Sequence, residues 1–299
     1  MSFPDISIVL ATQDALPYVC ECLESLCPQL SLVPAELIVA DASSDGTVEL
    51  IRSRYPQVTL LHHDRPVGLP ELMREALEHA RGRIVALVDP GCVFPADWLE
   101  KLLRAHESEF CVIGGAVENG HPDGLANWAC YMVDYGAFML PARRRVTPLL
   151  PGIHLSYKRP VVELALKSMP DGFWKVTLHS ELTRRGVPFL FDPELVTHYS
   201  RPDTFMSFLR RYYRRGWYFA ALRCKRMSRL GRFLRVVLFP ALPVILFSQR
   251  MRAQIGKKAH RLEWFLTLPL QAILLTGWAA GELTGFILGP AALPSEVYQ

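Results

Sequence analysis

The sequence predicts an α/β fold with a doubly wound, mostly parallel sheet, followed by a helical region of different character. Three observations carry this prediction. Short, continuous apolar runs alternate with amphipathic stretches over roughly the first two thirds of the chain, acids punctuate the ends of those runs, and the charge balance changes abruptly near residue 200. Strands that are apolar throughout, rather than at every second position, are those buried on both faces between layers of helices.

Taken in order, SIVLAT (7–12) is a strand, and Asp14 stands where it would cap a helix running through YVCECLESL (18–26). ELIVAD (36–41) is the second strand, with a turn at SSDG and a helix at TVELIRSRY. VTLLHH (58–63) is the third strand, PELMREALEHARG (70–82) a helix, and RIVALVD (83–89) the fourth strand. Ligands of doubly wound sheets sit outside the carboxyl ends of the strands, and Thr12, Asp41 and Asp89 all fall at such ends. Beyond them FCVIGGAV is strand-like, 119–151 reads as irregular, 160–186 contains helix ending at Arg184-Arg185-Gly186, and PFLFDPELVTHYS (188–200) returns as a strand to the site edge.

The net charge of +4 conceals two opposed parts. Residues 1–200 hold 17 Lys/Arg against 25 Asp/Glu, whereas residues 201–261 hold 16 against the single acid Asp203. Aromatics interleave with arginines over 201–235, as on an interfacial helix; a solvated basic helix covering a core is the alternative. FLRVVLFPALPVILF (233–247) contains Pro240 and Pro243 and falls short of the roughly 20 residues a span needs. The stretch 264–290 is long enough, with Glu282 as its only charge and Trp264 and Trp278 as interface anchors. If both segments crossed, the basic loop 248–261 would face outward, against the positive-inside rule. Either the first does not cross, therefore, or both lie in the cytoplasmic leaflet; the rival reading is a soluble oligomer interface. The expected organisation is a domain over 1–200, basic aromatic helices over 201–235 and hydrophobic helices over 236–299. The seven cysteines form no paired CxxC and read as reduced thiols. The N-terminus reads as lacking a signal peptide, which places the globule at the cytoplasmic face of the cell membrane. The apolar flanks of the basic block argue against a nucleic-acid partner.

SIVLATQDALPYVCECLESL, ELIVADASSDGT and RIVALVDPGCVFPADWLEKL together resemble the family 2 glycosyltransferases, whose fold is the Rossmann-like GT-A fold. The resemblance covers about residues 5–200, and ADASSDGTVEL is its most specific piece. GIHLSYKRPVVEL (152–164) and ELTRRG before PFLFDPELVTHY are similar to the family's later segments. The basic and apolar tail resembles that of its membrane-associated bacterial members.

The resemblance implies a nucleotide-sugar donor, in the first instance a UDP-sugar, and a lipid-linked or envelope polysaccharide acceptor. By position, Thr12, Gln13, Asp41 and Asp89 would line the nucleotide site, with Asp41 receiving the base. The family's metal motif, Asp-x-Asp, reads Asp89-Pro90-Gly91 here, so Mg²⁺ or Mn²⁺ would be left with Asp89 and, by position, His198. The family's Glu-Asp, which supplies the base, falls on Trp174-Lys175; Asp171 and Glu181 are the nearest acids and the candidate replacements. Met73 and His154 also depart from the family pattern. Two readings stay open: a membrane-associated hexosyltransferase, and a catalytically inactive subunit of the same fold that binds a partner enzyme at the membrane, as a homo- or hetero-oligomer.

Overall fold

The computed structural model describes residues 4–201, 204–224 and 227–289. It runs β1 (Ile6–Thr12), α1 (Leu16–Leu26), β2 (Ala35–Asp41), α2 (Thr47–Arg54), β3 (Thr59–His62), α3 (Leu69–His79), β4 (Ile84–Val88), β5 (Cys92–Val93) and α4 (Trp98–His106). Next come β6 (Val112–Asn119), α5 (Gly124–Tyr135), β7 (Arg145–Val146), β8 (His154–Lys158), α6 (Arg159–Ser168), α7 (Lys175–Arg184) and β9 (Phe189–Tyr199). Four helices follow: α8 (Phe205–Cys224), α9 (Arg229–Val237), α10 (Leu242–Gln254) and α11 (Arg261–Leu288).

Every residue of β1 and β4 is buried, as strands covered on both faces must be. β1 lies between β2 and β4, and β2 pairs with β3, all parallel. The sheet continues in the order β3-β2-β1-β4-β8-β6-β9-β5, with β7 on β9. β8 runs antiparallel between β4 and β6. The β6–β9 ladder is parallel but shifts register between Gly115 and Ala116, where Asp192 and then Val196 are the partners. A side chain at Gly115 would meet the Leu195 carbonyl at 1.8 Å, so glycine permits the bulge to close. Pro193, which cannot donate to a ladder, lies within that bulge.

The chain forms two compact units. The first comprises the residues up to Gly120 together with Phe138–Arg201, and the second joins His121–Ala137 to the chain after Arg201. The irregular reading of 119–151 is thus corrected: it contains α5, which begins at Gly124 with a φ of 78° after a turn-like HPDG that disguises the start.

In the second unit, Ala129, Cys130 and Val133 of α5 share a core with Phe208 and Tyr212 of α8 and Leu274 and Leu275 of α11. α8 and α11 approach to backbone contact: a Cβ at Gly281 would lie 2.0 Å from the Tyr213 carbonyl oxygen, and one at Gly216 would lie 2.2 Å from that of Trp278. Glu282, the acid inside the apolar stretch, accepts both prongs of the Arg223 guanidinium at 3.2 and 3.0 Å and the Trp278 Nε1–H at 2.8 Å. The basic segment 201–235 therefore divides by role. α8 buries one face, whereas α9, capped by Ser228 on the Gly231 N–H, leaves Leu230, Phe233, Leu234 and Val237 exposed beside Arg229, Arg232 and Arg235. By length and composition α11 could cross a membrane, and the α9 and α10 segments pass together only as a pair bent by 54°. Residues 290–299, at the end of the expected hydrophobic region, lie outside the described residues.

Candidate functional site

Parallel pairing in register brings Thr12 beside Asp41 and Asp41 beside His62 at the carboxyl edge of β1, β2 and β3. Asp41 is fully buried and held on both oxygens. Oδ1 accepts the Ser43 hydroxyl at 2.5 Å; Oδ2 accepts the Ser43 N–H at 3.1 Å and faces His62 Nδ1 at 2.8 Å. His62 Nε2 in turn lies 3.3 Å from the exposed carboxylate of Asp64. Thr12 Oγ1 beside this network is buried and, among the described residues, has no hydrogen-bond partner. A carboxylate has about four acceptor positions, so with three taken Asp41 retains one on Oδ1. Gln13 follows at the same edge, half-buried.

The Asp-Gly-Thr turn organises the neighbouring loop. Asp45 Oδ2 accepts the Leu16 N–H at 2.9 Å, and its Oδ1 accepts the Thr47 N–H at 3.2 Å and hydroxyl at 2.6 Å. Burial alone would raise the Asp45 pKa, but these donors outweigh it and hold the carboxyl below its ordinary value. Asp14 does not cap α1. It sits at φ 48°, and its Oδ1 accepts the Ser44 N–H at 2.8 Å and the Ser44 hydroxyl at 3.2 Å, while Ala15 occupies the N-cap position without a side-chain bond. The start of α1 is thus held across the chain by Asp45 rather than by its own neighbour.

At the end of β4, Asp89 Oδ1 accepts the Gly91 N–H at 3.0 Å, and the Asp89 carbonyl accepts the Cys92 N–H at 3.0 Å. β5 and the end of β9 close over this turn, with Cys92 opposite Tyr199, Val93 opposite His198 and the Ser200 N–H on the Gly91 carbonyl at 2.7 Å. A Cβ at Gly91 would meet Arg201 Cβ at 2.9 Å, Asp89 Oδ1 at 3.3 Å and the Tyr199 ring at 3.4 Å. Position 91 has little room for a second carboxylate. Mg²⁺ and Mn²⁺ seek several hard oxygen ligands, and among the described residues no three His, Cys, Asp or Glu gather to hold a metal, Asp89 and His198 included. The donor set does not fit the divalent cation that the resemblance implies.

The candidate acids for the catalytic base fare differently from one another. Asp171 is exposed in the turn before α7. Glu181, nearly two turns along α7, is paired with Arg184 and with Arg185, the latter at 2.7 Å, and the Arg185 guanidinium leads the interactions that lower its pKa. That makes it a poor proton acceptor. Trp174 is the N-cap residue of α7, and Lys175 Nζ donates to the Gly152 carbonyl. His154 is a core residue. It is buried, its Nε2 accepts the Trp98 Nε1–H at 2.9 Å, and burial pushes its pKa down to about 3, so the ring is neutral. The residues that sequence reasoning missed are Ser43, His62 and Arg201. The HH ending of the third strand carried a signal for His62, because strand ends of a parallel sheet converge.

A mostly parallel, curled sheet with acids and a buried hydroxyl at one carboxyl edge has the layout of the GT-A fold. The chain belongs to glycosyl transferase family 2, whose sequence profile matches residues 7–163. It is 27% identical over 105 residues to the "Uncharacterized glycosyltransferase YwdF" of Bacillus subtilis, a match covering 34% of this chain and 38% of that protein. The chain therefore spans well under half the length of that relative. Solved structures share its fold, two of which follow. The mannosyltransferase PcManGT from Pyrobaculum calidifontis, in complex with GDP-Man and Mn²⁺, matches with a TM-score of 0.51 at 18% identity, covering 99% of this chain and 77% of the other. S. aureus TarS 1-349 matches with a TM-score of 0.53 at 16% identity, covering 94% and 89%.

Proposed function

We propose that this protein transfers a glycosyl group from a nucleoside diphosphate sugar to an acceptor presented at a membrane. The observation that carries the reading is the alignment of Thr12, Asp41, His62 and Asp89 along one strand edge in a family 2 chain. Family membership and the GDP-Man held by PcManGT support the donor class. In such a transfer the acceptor oxygen bonds to the anomeric carbon, the bond from that carbon to the diphosphate oxygen breaks, and the acceptor proton passes to a base. The exposed apolar and arginine faces of α9, together with α11, support a site at the cytoplasmic face of a membrane, with a lipid-linked or polysaccharide acceptor.

A specific observation favours a second reading, in which the domain binds a donor or a partner enzyme without turnover. Lys175 occupies the base position and is anchored on Gly152, and neither Asp171 nor Glu181 is an evident substitute. One experiment separates the two. The full chain, in vesicles containing anionic lipid, is given UDP- and GDP-sugars, with lipid extract as acceptor, and analysed by mass spectrometry alongside calorimetric nucleotide binding. Glycosylated product establishes transfer; nucleotide binding without product or donor hydrolysis across the panel establishes the second reading; neither binding nor product refutes both.

A further inference from the structure

We propose that Arg201 supplies the positive charge facing the donor diphosphate, in place of a divalent cation; this rests on the donor reading above. The argument begins with register. Cys92 opposite Tyr199 and the Ser200 N–H on the Gly91 carbonyl at 2.7 Å fix the end of β9 against the Asp89-Pro90-Gly91 turn. Arg201 is the next residue along. A Cβ placed on Gly91 would lie 2.9 Å from Arg201 Cβ and 3.3 Å from Asp89 Oδ1, so the base of the arginine side chain and the carboxylate both border the space that a second metal-binding carboxylate would need. That crowding comes from the Cβ of residue 201, which any residue but glycine would place there, so it closes position 91 to a side chain without singling out arginine.

The guanidinium carbon of Arg201 lies 5.4 Å from the centre of the Tyr18 ring, over the first turns of α1. It therefore stands at the carboxyl edge near the ends of β1 and β4, where nucleotide phosphates sit in open α/β sheets. An aromatic face under the cation orients the group before a ligand arrives. A guanidinium offers a planar pair of donors that matches two phosphate oxygens and keeps its charge at any physiological pH. Stabilising the leaving diphosphate needs a fixed positive group, and a guanidinium or a divalent ion can serve.

The test is calorimetric binding of UDP and GDP to the full-length protein, in excess EDTA and in millimolar Mn²⁺, for the wild type, Arg201→Gln, Arg201→Lys and Tyr18→Leu. The expected result is that wild-type affinity for the preferred diphosphate differs by less than about twofold between EDTA and Mn²⁺. Arg201→Gln should weaken it at least tenfold and flatten its salt dependence, whereas Arg201→Lys should retain that salt dependence with intermediate affinity. Tyr18→Leu, which leaves the β9 backbone and the Gly91 contact alone, should weaken binding several-fold and guards against an Arg201 variant that fails to fold. Affinity that falls at least tenfold in EDTA overturns the proposal, as does wild-type affinity in a folded Arg201→Gln. Failure of the wild type to bind either diphosphate in both conditions refutes the donor reading itself, and with it this one.

Discussion

His154 provides the most quantitative test of the fold around the site. Its imidazole is buried, accepts the Trp98 Nε1–H at 2.9 Å, and packs 5.4 Å from the Trp98 ring and 6.0 Å from that of Phe94. Burial holds its folded pKa at about 3, against about 6.5 for an unfolded histidine. The unfolded chain thus binds the extra proton first. The stability contributed by the neutral ring is fully present above about pH 6.5 and declines as the pH falls towards the folded value. At pH 5 the loss from this one group is about 2 kcal/mol, set by the distance of pH 5 from the unfolded pKa. We predict that His154→Asn costs about 1–3 kcal/mol at pH 7.5, because the Trp98 N–H loses its acceptor, yet loses about 2 kcal/mol less than the wild type on going to pH 5. Hydrogen exchange at the amides of β8 and β6, corrected for intrinsic rates, reads both quantities in the intact protein. If the variant loses as much as the wild type between the two pH values, the burial argument for His154 is wrong.

Two further predictions concern the site loop and the helical unit. Asp45→Ala removes the acceptor of the Leu16 N–H and of both Thr47 donors; it should cost about 1–3 kcal/mol in exchange protection at the start of α1, with Asp45→Asn recovering part of the loss. Gly281→Leu drives a side chain into the Tyr213 carbonyl; it should destabilise the α8–α11 pair by about 3 kcal/mol or more and open 205–224 to protease, whereas Gly256→Ala, at a glycine whose Cβ would meet nothing within 4 Å, should leave the pattern unchanged.

The first four strands and their helices were legible because burial on both faces imposes a local pattern: a run such as SIVLAT has few other uses. Their edge was legible for the same reason, since the strands run parallel and their last residues align. What escaped was non-local. Asp14 has the right residue type and position for a cap, but a left-handed backbone turns it towards Ser44, and the helix start is claimed instead by an acid 29 residues further along. Arg201 reads as the first residue of a basic tail; only the β5–β9 pairing puts it against Gly91. α8 shares its arginine-rich composition with α9, and no local signal separates them, because the difference lies in the glycines of α11 that α8 packs upon.

The excursion from Gly120 to Phe138 has a practical consequence for anyone dividing this molecule. Chain order does not follow the units: the polypeptide leaves the sheet after β6, lends one helix to the other unit, and returns, with the Val117 N–H on the Phe138 carbonyl at 3.3 Å marking how near the exit and re-entry lie. Truncation after Arg201 would not release a clean sheet domain. It would strip Phe208, Tyr212, Leu274 and Leu275 from Ala129, Cys130 and Val133, leaving an orphaned apolar helix as a nucleus for aggregation. A well-behaved fragment calls for two edits, a stop after Arg201 and a short bridge in place of 121–137, and the second helical unit can be rebuilt only by supplying α5 as a separate peptide.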